Sequence, residues 1–261
     1  SWGGTTSAAT NKSAARFGST TTGIINVSTT SCTTGEWLGN TSTDWFNASN
    51  WCGGVPTAST DVTISSSAPN QPTINGAGAV CNNITIGSGA TLTITGSNGL
   101  SVSGDWTNNG TFTANTSTVT FTGSAAQTIE GSSNTTFSSI TVNKSSAANT
   151  VTSQTNSFTA SGNLTITTGI LNLTATDADY TVTGNISVAA NGTLKHSVSW
   201  DATGFKLGVG GNIAIDGAYD YSSVPRAHIS MTGSAKTVHS GSSAFSILTL
   251  GTTGAITADG A

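Results

Sequence analysis

Few residues in this chain have side chains able to do chemistry, and they are scattered. His196, His228 and His239 are its three histidines. A zinc site draws its ligands from clusters at short, characteristic spacings. The histidines show no such spacing, so no metal site is expected and each is placed on a surface strand. Lys195 and His196 with Asp201, and Arg226 with His228, are the residue types of a lyase-like site, where a base works beside carboxylates in a groove. Nothing in the sequence makes these groups converge. The expectation is no catalytic residue, no cofactor and no enzyme. Asp177 with Asp179, and Asp216 with Asp220, offer two carboxylates each, whereas Ca²⁺ takes six to eight oxygens. Solvated turns account for both pairs better.

Two other residue types stand out. Trp37, Trp45 and Trp51 are half of the six tryptophans and fall between Glu36 and Ile64. One reading is a cap, in which large apolar rings plug the end of a β core. The other is a carbohydrate platform, since aromatic faces stack on sugar rings; Trp106 and Trp200 would join it. The cap is the favoured reading. Cys32, Cys52 and Cys81 permit one bridge and one free thiol. Cys52–Cys81 is preferred because it would tie the Trp-rich segment to the first strands. Cys32–Cys52 is the alternative.

The elements that must position these residues are short strands. From Leu100 to Val142, apolar residues alternate with polar ones in runs broken by Gly, Asn and Ser, a period of two that reads as strand. FTGSAAQTIEGSSNTTFSSITV from Phe121 returns as MTGSAKTVHSGSSAFSILTL from Met231, hydrophobic replacing hydrophobic. A second unit pairs Gly with Asn or Asp at Gly104, Gly162, Gly184 and Gly211. There it is read as a tight corner between strands, with positive φ as the reason for glycine. Such self-similarity marks a repeat architecture. The expected fold is all-β: a right-handed parallel β-helix (β-solenoid) with three faces per coil and a Trp-rich capping segment. Tandem β-sandwiches are the alternative. The expected organisation is a low-complexity arm over 1–34, a cap with the first strands over 35–82, and solenoid repeats over 83–261.

Composition narrows the function classes. Charged residues are only 7% of the 261, and the net charge is −4. A nucleic-acid partner wants a basic patch, and an anionic membrane surface wants the same; neither is expected. No apolar run reaches the roughly 20 residues of a spanning helix, so membrane insertion is not expected. Hydrophobic content of 35% with low charge opposes disorder. The Thr-rich, Lys-poor balance looks extracellular, where disulfides persist.

The segment from Trp37, with Thr43-Asp44-Trp45, Asn50-Trp51-Cys52-Gly53-Gly54-Val55-Pro56 and Asp61-Val62-Thr63-Ile64, resembles a module of large secreted proteins of Bacteroidota. Gln71-Pro72-Thr73-Ile74, Val80-Cys81-Asn82-Asn83-Ile84 and Gly104-Asp105-Trp106-Thr107-Asn108 extend the resemblance to about Val142. It implies a secreted or cell-surface protein of the type IX secretion pathway, adhesin-like and without a catalytic motif. The sorting domain usual at the C-terminus of such proteins does not follow Ala261, which implies a processed chain or part of one.

The expected function is therefore an extracellular structural or adhesive protein, a solenoid module or subunit of a surface filament. The partners this implies are further copies of itself, joined through the N-terminal arm or the solenoid ends, and a glycan surface. The alternatives are a glycan-binding module or polysaccharide-active enzyme, and thirdly an ice-binding surface on outward threonines such as Thr91, Thr93 and Thr95. The irregular spacing of the Thr runs speaks against the last.

Overall fold

A computed structural model describes residues 32–154, 156–175, 179–198, 206–233, 236–245, 247–251 and 256–259. Asp177, Trp200, Asp201 and nearly all of the arm lie outside the described residues. The chain divides into two units, Ser1–Ser31 and Cys32–Ala261. The second unit is a parallel β-solenoid of about eight turns, with one 3-10 turn at Ala48–Asn50.

Each coil contributes one short strand to each of three faces. Coil one is β1 (Val62–Ile64), β2 (Thr73–Ile74) and β3 (Ala79–Cys81); coil two is β4 (Ile84–Ile86), β5 (Thr91–Ile94) and β6 (Gly99–Val102). Coil three is β7 (Trp106–Asn108), β8 (Thr111–Thr113) and β9 (Thr118–Phe121); coil four is β10 (Gln127–Glu130), β11 (Thr135–Phe137) and β12 (Ser139–Asn143). Then come β13 (Thr150–Ser153), β14 (Phe158–Ala160), β15 (Leu164–Leu173), β16 (Tyr180–Val182) and β17 (Ile186–His196). β15 and β17 each run round a corner. Their first halves close the third face of one coil, and their second halves open the first face of the next. β18 (Leu207–Val209), β19 (Ile213–Ile215), β20 (Ala218–Asp220), β21 (His228–Thr232), β22 (Lys236–His239), β23 (Ile247–Gly251) and β24 (Ile256–Asp259) complete the stack. All strand pairings between coils are parallel. The first coil begins at Val62, within the 35–82 segment expected to hold the cap and the first strands.

Alternation builds the core. On the third face Ala79, Leu100, Val119, Ile140, Leu164, Ile186 and Ile213 stack through successive paired strands, and each is at most 3% exposed. A residue of the opposite parity faces out. Ser101, Thr120, Thr141, Thr165 and Ser187 form an unbroken outward ladder beside that stack. Thr73, Thr93 and Thr113 form another on the second face, with Thr91 opposite Thr111. The threonines that look irregular in sequence are thus in register in space. The irregularity lies in the corners: Leu100 pairs with Val119 nineteen residues on, and Ile186 with Ile213 twenty-seven residues on.

The sequence repeats do not keep their faces. Phe121 lies on β9 of the third face and its counterpart Met231 on β21 of the second. Ile129 lies on the first face and its counterpart Val238 on the third. The repeat is one coil rotated by one face, because all three faces present the same half-buried environment.

The Gly-Asn and Gly-Asp corners have a different cause from the one expected. None of Gly104, Gly162, Gly184 and Gly211 has positive φ. Glycine is required there by close approach. A Cβ on Gly184 would lie 2.5 Å from Asn163 Oδ1, and one on Gly104 would lie 2.2 Å from Asn83 Oδ1. Those side-chain oxygens form ladders running coil to coil. Asn185 N–H donates to Asn163 Oδ1 (2.9 Å), Asn212 N–H to Asn185 Oδ1 (2.8 Å) and Thr237 N–H to Asn212 Oδ1 (3.0 Å). At another corner Asp105 N–H donates to Asn83 Oδ1 and Thr128 N–H to Asp105 Oδ1, both at 2.7 Å. The ladders satisfy corner amides that no strand pairs.

Candidate functional site

The Trp-rich segment covers the open edge of the first coil. Glu36 bridges to Thr63 on β1 and Asp44 to Thr73 on β2, both in parallel. An uncovered edge would present unpaired backbone to any passing strand. Trp37, Trp45 and Trp51 pack edge to face on one another, with centroids 4.8 and 4.6 Å apart. Trp37 Nε1 donates to Asn70 O and Trp51 Nε1 to Trp45 O, each at 2.6 Å. Buried Asn50 organises the loop between them. Its Oδ1 accepts from the amides of Thr41 and Ser42, and its Nδ2 donates to Asp44 O. The three indoles are at most 4% exposed, and Trp106 is wholly buried against Phe112 and Phe137. None of the four offers a ring face to a sugar, which corrects the glycan-contact reading. The rings spend their area on the core.

The disulfide joins Cys32 to Cys52, with S–S 2.03 Å and Cα–Cα 5.8 Å. The preferred Cys52–Cys81 pairing is therefore overturned. Alternation on β3 turns Val80 outward and sends Cys81 into the core stack with Val102, where it is fully buried and free. Burial, with a smaller contribution from Asp61, pushes the Cys81 thiol well above its usual range. It stays protonated and inert. Beside the bridge, Thr33, Thr34, Glu36, Asp61 and Thr63 line a cleft of about 330 Å³. Its carboxylates already have protein donors: Glu36 accepts from Thr33 N–H, and Asp61 Oδ1 accepts from Asn82 and Asn83.

Among the described residues, the scattered polar groups of the later coils do not converge. On β17 alternation sends Lys195 outward and His196 inward. Lys195 pairs with Asp220 at 2.9 Å. Asp220 is held down to about 2 by hydrogen bonds from Ser222 first and Lys195 next. Asp179 pairs with Lys206 at 2.7 Å and Asp216 with His239 at 3.3 Å. Each Asp once weighed for calcium and described here thus has a cationic or potentially cationic neighbour. His196 and His228 are buried, which corrects their placement on the surface. His196 packs on Tyr219, and burial lowers it to about 3, so it stays neutral.

One buried polar pair was missed. Lys144 follows β12 with the inward parity of Ile140 and Val142, and it is 3% exposed. Its Nζ donates to Thr122 O (2.5 Å) and to Gln127 Oε1. Gln127, on β10, is 1% exposed, and its Nε2 donates to Val102 O (3.0 Å) and Gly104 O (2.5 Å). The signal was available: continuing the period of two past Val142 places the one Lys of the middle coils on the core side.

Among the described residues no group of three His, Cys, Asp or Glu side chains could hold a metal ion, and no helix is long and apolar enough to cross a membrane. No curated protein and no solved structure matches the chain. Residues 36–132, the cap and the coils up to β10, match the model of a family described as a domain of unknown function, DUF8693.

Proposed function

We infer that this chain is an extracellular structural or adhesive β-solenoid, a rigid segment of a surface fibre that joins copies of itself end to end. The observation that carries this is the continuous parallel stacking of the coils along the first and third faces. At about 4.8 Å per coil, about eight coils make a rod on the order of 40 Å long. Along the second and third faces, the strands of coils one to six contain no Asp, Glu, Lys or Arg. The Cys32–Cys52 bridge supports an oxidising compartment, as does the resemblance to type IX-secreted proteins of Bacteroidota. The joint would use the N-terminal arm. Gly23-Ile24-Ile25-Asn26-Val27 has the composition of a strand, and strand addition to a sheet edge is a common mode of chain association. In this reading the chain catalyses nothing and needs no cofactor, nucleic acid or bilayer. Electron microscopy of untagged secreted material tests it. Fibres that vanish when residues 1–31 are deleted are expected, and an unchanged assembly would remove the arm from the account.

The outward hydroxyl ladders favour a second reading, an ordered surface that templates ice. Thermal hysteresis that is present in the native chain and lost in Thr120→Lys/Thr141→Lys would establish it. Absence of hysteresis in the native chain disposes of it.

A further inference from the structure

Lys144 is anomalous as a structural side chain. A buried ammonium is costly unless paired, yet no ion pair to Lys144 exists among the described residues. Its two Nζ partners are neutral oxygens, Thr122 O and Gln127 Oε1. Burial lowers it to about 8, an effect that Asp105 partly opposes. A fraction of the amine is therefore neutral, and hence nucleophilic, near neutral pH.

The acceptor is equally well placed. The Gln127 amide is held on its nitrogen side by Val102 O and Gly104 O, and its oxygen faces Nζ. The stem of Lys144 is fixed too. Its backbone N–H donates to Thr168 O (2.9 Å). Gly169, with φ +102°, leaves room for it, since a Cβ there would lie 2.5 Å from Lys144 Cγ. Amine and amide are thus held in contact in a dry site, the condition under which proximity lowers a barrier most.

We propose that Lys144 and Gln127 form an intramolecular isopeptide bond. The Nζ lone pair attacks Gln127 Cδ, the Cδ–Nε2 bond breaks, and ammonia leaves. The proton lost by Nζ ends on the departing nitrogen, so the reaction needs no oxidant and no co-reactant. The Asp105 carboxyl acts electrostatically on Lys144, and its Oδ1 accepts from the Thr128 amide next to Gln127. The product ties β10 covalently to the end of β12, closing a seventeen-residue separation within coil four.

The test is a tryptic map of the native secreted chain after full denaturation and reduction. Trypsin should fail to cut after Lys144, so residues 17–195 should stay together as one peptide that weighs one ammonia less than its sequence mass. Gln127→Ala should restore cleavage after Lys144. Cleavage after Lys144 in the native chain, with both peptides at their sequence masses, overturns the proposal. So does loss of ammonia mapped to any other residue while Lys144 stays cleavable. Neither readout depends on a variant folding.

Discussion

At the scale of single residues, the corner glycines and the inward polar groups decide most. Gly184→Ala would drive a methyl into Asn163 Oδ1 and Gly162 O, both 2.5 Å from the new Cβ. A loss of about 2 kcal/mol is expected, the usual cost of overpacking, read as a lowered urea midpoint. Gly54→Ala meets nothing within 4 Å, although its φ of +93° strains the backbone; it should cost about 1 kcal/mol or less. His196 makes stability fall in acid. Its native value near 3 lies below the ordinary 6.5, so the unfolded chain takes up the proton and the native one does not. The stabilisation is complete above 6.5 and is lost as pH falls toward 3, at about 1.4 kcal/mol per pH unit. His196→Leu should flatten that part of the pH profile of unfolding. Parity made His196 and Lys144 legible as core residues. Reading His196 by type, as a surface group, hid it.

At the scale of elements, alternating runs such as Val62–Ile64 and Ile84–Ile86 were legible, because each carries two inward aliphatic residues around one Thr. β7 and β13 were less so. Their inward positions hold Asn108 and Ser153, polar side chains that sit buried in the stack. β15 was foreseen as two short strands, Leu164–Ile166 and Leu171–Leu173, and β17 only as its first part, Ile186–Val188. The chain bends at Thr168–Gly169 and Asn191–Gly192 without leaving the ladder, a distinction that depends on corner geometry and not on pattern. The cap was foreseen from its tryptophans. The bridge beneath it was foreseen only as the alternative pairing, since spacing alone cannot say that Cys81 faces inward. Reducing Cys32–Cys52 should cost about 3 kcal/mol, as for other loops near twenty residues. The loss should appear first as opening of the cap. Cys81 should stay unlabelled by iodoacetamide in the native chain and be labelled once it unfolds. Asn185→Ala should cost about 1 kcal/mol by releasing the Asn212 amide.

At the scale of the whole molecule, the solenoid is quasi-one-dimensional: each coil contacts its neighbours, and stability accumulates coil by coil. That architecture is compatible with a load-bearing rod, and in the proposed reading its ends are where copies join. The sequence announced the repeat but not its rotation from face to face, because three equivalent faces let one unit serve at any of them. Nor could it announce the Thr ladders, since loops of unequal length at the corners scramble their spacing. The measurement that bears most directly on the account is electron microscopy of the untagged chain beside a chain lacking residues 1–31, at matched concentrations. The account predicts regular fibres from the first and separate short rods from the second. Separate rods from both, at every concentration, would contradict it.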